Sequence, residues 1–316
     1  MFGRALNPRA WSLFAALSVI WGVPYLLIKV ADDGGVPPFV LAWGRMVLAA
    51  AILLALAARA GSLHGLRPAW RWLVAYAVME LAIPLPLIAA GEKHVSSSLA
   101  AIIIATVPLI VALLAFWFEP AERVRGRRLI GLVIGLVGVA LLVGLQAAGS
   151  VGSLLAAGGL LIAATGYAIG PMIVSRHLGA FDPRAAMGTT LALAAILLTP
   201  VAVLDWPARA PTMGALAAVG ALAVFCTALA FVLVALLIRE IGVSRAVLIT
   251  YVNPVVALLL GIALLGEHPG PGSFAGLVLI LAGCWLSTRS GSDAVASQGP
   301  QPVGATEEDA EPAVSY

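Results

Sequence analysis

Apolar residues along this chain come in long blocks rather than in alternation. Ten such blocks lie at approximately 11–31, 37–58, 70–90, 95–117, 128–146, 152–175, 184–204, 212–238, 243–265 and 271–288, each near the roughly 20 residues a helix needs to cross a bilayer. The polar connections between them are short, and several are built on Gly and Pro, as in Asp32-Asp-Gly-Gly-Val-Pro-Pro38 and Glu267-His-Pro-Gly-Pro271. No room remains between blocks for a soluble domain. The pattern predicts an all-α integral membrane protein of ten transmembrane helices. Arg4 and Arg9 precede the first block as they would in a signal peptide, but the block exceeds an h-region of roughly 7–15 residues and lacks an Ala-x-Ala exit. It reads as a first span that also directs insertion.

The polar punctuation of these blocks is written twice. One copy runs Ser98…Pro108, Glu122-Arg123, then Gly131, Gly135 and Gly138; the other runs Ser244…Pro254, Glu267-His268, then Gly276 and Gly283. Ser-to-Pro spacing is ten residues in both copies and Glu-to-Gly spacing is nine, with displacements of 146 at the prolines and 145 at the glycines. Matching punctuation at one displacement indicates an internal duplication, which in membrane proteins most often means a transporter. Each copy holds five spans, an odd number, so the second enters the membrane upside down. The expected organisation is a cytoplasmic N-terminus at 1–10, a first repeat at 11–147, a second at 150–288 and a tail at 289–316. Two inverted five-helix repeats place a substrate site near the midplane, at their interface.

Charge placement tests the count of spans. With the N-terminus inside, the inner segments hold Arg4, Arg9, Arg59, Arg67, Arg71, Arg123, Arg125, Arg127, Arg128, Arg176, Arg184, Arg239, Arg245 and Arg289, which is 14 of the 18 Lys and Arg residues. The outer connections hold only Lys93 and Arg209, while Lys29 and Arg45 lie within spans. That split follows the positive-inside rule and puts both termini in the cytoplasm. Asp32–Pro38 and Glu92–His94 are then expected to be exposed outside. Beyond Arg289 the chain has Asp293, Glu307, Glu308, Asp309 and Glu311 among small residues and no basic residue, which reads as a disordered acidic tail.

Composition agrees: 62% of residues are hydrophobic and 10% charged, against about 25% charged in soluble domains. The basic residues sit in short connections rather than on one face, which argues against a nucleic-acid partner. Cys226 and Cys284 both fall inside apolar blocks and read as packing residues, so neither a disulfide framework nor a metal site is expected.

Trp21-Gly-Val-Pro-Tyr-Leu-Leu-Ile-Lys29, Arg45 in the second span and the doubled Pro…Glu…Gly series together resemble the drug/metabolite transporter superfamily, in its ten-span EamA-type branch, over about 11–288. The second copy departs from the first: Tyr167 and Arg176 stand where the first has Trp21 and Lys29, and Gly188–Thr190 lie near the place of Arg45. The halves are therefore chemically unequal. The resemblance implies a secondary transporter in the cell membrane that exports or exchanges small metabolites, amino acids or drugs by alternating access, without hydrolysing ATP and with no cofactor. A passive channel or facilitator on the same scaffold is the alternative; a membrane scaffold or lipid-modifying enzyme is the alternative from another class. Proton coupling and a homodimer are open on this reading.

Glu80 is the sharpest candidate, because a charged group at mid-span costs roughly 2.5–3.5 kcal/mol on insertion scales. Pro84 and Pro86 follow it, and each lacks a backbone donor, so the helix should distort and free carbonyls near the carboxylate. Glu80 reads as a proton- or cation-responsive group, as an anchor for an amine, or as a structural partner of Arg45 or Lys29. Arg45, about nine residues into its span, is too deep to snorkel easily; Lys29 is near enough to the surface to do so. Trp21, Tyr25, Trp43, Tyr76, Tyr167, Tyr251 and Asn253 are candidates to line the cavity, aromatics offering apolar and cation–π surface. Pro24, Pro108 and Pro254 join Pro84 and Pro86 as expected kink sites, with Asn253 placed to satisfy a backbone group freed at Pro254. The glycine series reads as close helix packing. HExxH, GxSxG and P-loop motifs are absent and no His falls inside a block, which argues against an enzyme.

Overall fold

The computed structural model describes residues 8–118, 127–147, 150–241 and 249–289, and every regular element among them is helical. In chain order, α1 comprises Pro8–Gly22 and Pro24–Asp33, α2 is Pro38–Arg59, and α3 comprises Trp70–Tyr76, a π turn at Ala77–Ala82 and Pro84–Gly91. Ser97–Ile104 and Val107–Phe118 form α4, and Arg127–Ala147 forms α5. Val151–Ile173 is α6, continued by a π turn at Val174–Leu178, and Pro183–Leu204 is α7. Met213–Ala223, a π turn at Val224–Leu229 and Ala230–Ile241 make up α8; Ile249–Leu265 is α9 and Pro271–Arg289 is α10. Among the described residues seven helices are long and apolar enough to cross a membrane, and Leu129–Leu142, Ile249–Leu265 and Pro271–Leu286 are shorter apolar runs. Leu155, Ile196, Val203 and Val278 are exposed on the outside, as expected where lipid rather than water is the solvent. The chain is a helical, multi-pass membrane protein.

Prolines set several of the interruptions. Pro84 has no N–H to give to the Glu80 carbonyl, and the ladder widens instead: Ile83 N–H donates to Val78 O at 3.1 Å, five residues back. Helix α1 pauses at Val23, ahead of Pro24. In α4 the break falls at Ala105–Thr106, two residues before Pro108, where the Thr106 hydroxyl donates to Ile103 O at 2.7 Å. Pro254 is different, since α9 runs through it without interruption. The π turn in α8 contains no proline; there the Thr227 hydroxyl inserts into the ladder and donates to Leu222 O at 2.9 Å.

The connections after α1, α3, α5, α7 and α9 gather at one end of the molecule, tied by polar contacts. Thr212 N–H donates to Gly34 O at 2.9 Å and Phe39 N–H to an Asp205 carboxylate oxygen at 3.2 Å. Lys93 pairs with Asp32 at 3.4 Å, and the Ser153 hydroxyl donates to His94 O at 3.2 Å. Glu267, between α9 and α10, reaches the first turn of α4. At the opposite end Arg9 pairs with Glu240 at 2.9 Å, and Trp72 stacks on His177 with ring centres 3.5 Å apart. There too Asp182 caps α7, and its hydrogen bond from the Arg184 side chain holds its carboxyl down at about 2.

Helix pairing follows the small residues. The most extensive contact is α5 against α10, where a Cβ at Gly283 would lie 2.5 Å from Gly135 N and 2.6 Å from Gly131 O. The glycine series thus serves packing inside the chain. Further broad contacts join α2 with α7, α3 with α6, and α1 with α8. The basic connection around Glu122–Arg125, the Ser244 region and the tail beyond Arg289 lie outside the described residues.

Candidate functional site

The polar groups worth attention are the few that sit inside this apolar stack. Arg45 of α2 is 8% exposed and points across to α8: its Nε donates to Thr227 Oγ1 at 2.7 Å and its Nη2 to Cys226 O at 3.4 Å. Both acceptors belong to the π turn, whose widened ladder presents them to α2. Two of the guanidinium N–H groups go to neutral oxygens, and among the described residues no ion pair joins Arg45 to Glu80.

Glu80 lies in the other π turn, on α3. One of its oxygens, Oε2, is completely buried with no hydrogen-bond partner. That oxygen lies against Gly170 of α6, where any Cβ would collide with it, and one turn earlier Gly166 makes room in the same way for the Met79 carbonyl. The residue as a whole is only half-buried. A buried carboxylate oxygen without a donor is costly. It is the natural place for a proton or a cationic group.

Three tyrosines link the two charged residues. Tyr167 of α6 lies within electrostatic range of both Arg45 and Glu80. Tyr76, one turn before Glu80, is within range of Glu80 and Tyr167, and Tyr25 of α1 is within range of Tyr167 and Arg45. Tyr25, Arg45, Tyr76, Glu80, Tyr167 and Thr227 are thus the interior polar groups of α1, α2, α3, α6 and α8 that lie within electrostatic or hydrogen-bonding range of one another.

The other sequence candidates lie elsewhere. Trp43 donates its indole N–H to Thr199 Oγ1 at 3.1 Å and meets Trp206 edge to face, placing it between α2 and α7 near the end of the molecule. Trp21 packs with Leu17, Ala230, Leu237 and Ile249 in a separate apolar cluster of α1, α8 and α9. Tyr251 packs against the main core. Asn253, with its amide turned to suit its neighbours, donates to Ser18 O at 3.2 Å and Ile249 O at 3.0 Å, stitching α9 to α1. Lys29 makes an ion pair with Asp33 at 3.2 Å near the helix end.

Sequence reasoning passed over several residues that the structure brings forward. Thr227 and Cys226 anchor Arg45, and Gly166 and Gly170 shape the space for Glu80. The available signal was the repeat: Ala77–Ala82 and Val224–Leu229 are displaced by 147 residues at both ends, so Thr227 stands at the place of Glu80. The expectation that Glu92 is exposed is corrected. Lys93 and His94 are exposed, but Glu92 is 1% exposed, with neither oxygen hydrogen-bonded. It ends α3 as its C-cap, turned into the bundle rather than out of it.

Comparison with known proteins follows the same outline. The profile of the EamA-like transporter family matches residues 9–144 and again 154–289. The uncharacterized inner membrane transporter YedA of Escherichia coli (strain K12) is 32% identical over 274 residues, covering 84% of this chain and 85% of that one. The uncharacterized transporter YwfM of Bacillus subtilis (strain 168) is 27% identical over 286 residues, covering 86% and 92%. A crystallised protein of 21% identity superposes with a TM-score of 0.63, covering 89% of this chain and 97% of its own, a likeness of fold.

Proposed function

Because the chain belongs to the EamA-like transporter family, we propose that it is a secondary transporter that exports small organic metabolites, amino acids or drugs across the cell membrane by alternating access. On this reading all ten helices span, as two inverted five-helix repeats at 11–147 and 150–288, with both termini cytoplasmic. Support comes from the gathering of the five odd-numbered connections at one end, which has few basic residues, and from paired π turns facing the same interior. The cargo and its counter-ion meet at Glu80. No nucleotide, cofactor or covalent step is part of the cycle.

The observation that carries this reading is the unpartnered Glu80 oxygen between α3 and α6, with no ion pair to Arg45 among the described residues. A carboxylate already neutralised by an arginine would be structural. One left without a donor is able to exchange a proton for a cargo amine, which is what a coupled exporter requires. Tyr76 and Tyr167 supply apolar and cation–π surface beside it.

Reconstitution into proteoliposomes with a panel of amines, amino acids and drugs, under an imposed proton gradient, tests the proposal. Glu80→Gln keeps shape and polarity and removes the titrating group. Expected are wild-type protein yield and strongly reduced transport that no longer responds to pH. Normal, pH-dependent transport by this variant would overturn the assignment, and flux indifferent to a collapsed gradient would favour a passive facilitator.

A further inference from the structure

Two further carboxyls, one half-buried and one buried, lie at the end of the bundle where the odd-numbered connections meet. Glu267, in the connection between α9 and α10, lays its carboxylate on the first turn of α4. Its Oε1 accepts from Ser97 N–H and the Ser97 hydroxyl, both at 2.7 Å; its Oε2 accepts from Ser98 N–H at 3.1 Å and from the Ser98 hydroxyl. Gly261 of α9 leaves the room for this, since a Cβ there would strike Ser98 Oγ and the carboxylate. Four donors and a helix N-terminus suit an ionised carboxylate. Burial pushes Glu267 up, but the hydroxyls and N–H groups of Ser98 and Ser97 outweigh it and hold the group below the ordinary Glu range. The contact joins the α9–α10 connection of the second matched stretch to α4 of the first.

Glu92 sits beside this latch and shares none of its donors. It is 1% exposed, and both of its oxygens lack a hydrogen-bond partner. The charged and titratable groups facing it are Glu267 from the α9–α10 connection, with Lys29, Asp32 and Tyr25 from α1. Lys29 is committed to Asp33, and Asp32 to Lys93. Of the other helices packed on this end of α3, α6 presents Leu160 beside Gly91, and Arg45 of α2 is turned to Thr227. Among the described residues Lys29 alone offsets the charge of an ionised Glu92, and two carboxylates, Glu267 and Asp32, stand near it. The side chain is sealed in as the neutral acid.

We propose that Glu92 is a proton-binding site of the outer gate: as a neutral carboxyl it lets the Glu267 latch close on Ser97 and Ser98, and giving its proton to the outside solution releases the latch. That this end faces outside rests on the topology of the proposed function. The sign is fixed by burial: the closed gate holds the proton more tightly than the open, hydrated one, because burial first, then the charge of Glu267, raises Glu92 well above the ordinary Glu range. The closed gate is therefore favoured at low pH and lost as pH rises through that raised value. Each closure from outside takes up one proton, so the gate itself loads the counter-ion for an exporter.

The test uses full-length protein in proteoliposomes, with Cys226→Ala and Cys284→Ala and a reporter thiol at Leu99→Cys, a position 4% exposed under the latch. Labelling by a membrane-impermeant maleimide is normalised to an exposed His94→Cys control to remove the pH dependence of the reaction itself. Labelling is expected to be slow at low pH and to rise on the order of tenfold per pH unit between the closed and open pKa values, the slope of a one-proton linkage. In Glu92→Gln it should stay slow at every pH; in Glu267→Gln it should be fast at every pH. An unaltered pH profile in Glu92→Gln, or unaltered labelling in Glu267→Gln, would overturn the proposal. So would loss of folded protein in both Glu92→Gln and Glu92→Leu, since a group that is neutral when closed tolerates neutral replacements. No cargo enters this measurement. A failed transport assay therefore counts against the function, and a failed pH profile against the gate.

Discussion

Two buried carboxyls in one membrane protein were not equally visible in its sequence, and the reason lies in where each falls along an apolar block. Glu80 interrupts the middle of one, where a charge is costly whichever way its helix turns, so hydropathy alone makes it stand out. Glu92 closes the same block, where a Glu is ordinary, and only the contacts of Asp32 with Lys93 and of Glu267 with Ser97 and Ser98 enclose it. Arg45 was equally visible, but its partner was not: the pairing falls on Thr227 and a carbonyl rather than on Glu80. Thr227→Val removes the shorter of its two hydrogen bonds while keeping side-chain volume. A buried donor left without an acceptor costs about 1–3 kcal/mol, so folded yield and thermal stability should fall, and Thr227→Ser should restore them. Gly170→Ala is a second test. Its methyl would occupy the position of Glu80 Oε2, and relieving such overpacking costs about 1–3 kcal/mol. Transport should drop in this variant even where detergent-purified protein remains monodisperse, because the carboxylate is displaced.

At the level of elements, each hydropathy block falls on one of the helices α1–α10 among the described residues, and the prolines foretold several of the interruptions. The π turn ahead of Pro84 follows from one missing donor. The matching turn in α8 could not be read from composition, because Val224–Leu229 contains no proline and its distortion depends on a threonine hydroxyl entering the ladder. Pro254 shows the converse: Asn253 bridges the turn ahead of it to α1, and α9 stays continuous. The glycine series was legible as a packing surface, but not which helix it would meet. The structure pairs α5 with α10 through Gly135 and Gly283, with Gly138 against Leu279 and Ile280. In lipid no hydrophobic force compensates a lost close approach. Gly283→Val should therefore separate α5 from α10 and lower folded yield, checked by fluorescence-detected gel filtration, whereas Gly158→Val, which meets nothing nearby, should leave yield unchanged.

For the whole molecule, orientation is the property that joins charge pattern to mechanism. The five odd-numbered connections are held together by the Gly34–Thr212, Phe39–Asp205, Asp32–Lys93, His94–Ser153 and Ser97–Glu267 contacts, so they share one side of the membrane and the position of any one fixes the rest. Among described positions that end carries Lys29, Lys93 and Arg209, while Arg9, Arg59, Arg67, Arg71, Arg176 and Arg184 belong to the other. Basic residues in short connections are retained on the cytoplasmic side during insertion. A thiol at His94→Cys or Arg209→Cys should thus react with an impermeant reagent applied to intact cells, and one at Arg71→Cys only after permeabilisation. Reaction of Arg71→Cys from outside would invert the molecule. The Glu267 latch would then guard the cytoplasmic entrance, and the proton taken up on closing would come from the cytoplasm. A thiol reactive from both sides would point instead to a mixed orientation, which the large arginine imbalance opposes. The labelling pattern therefore decides which way the proton moves.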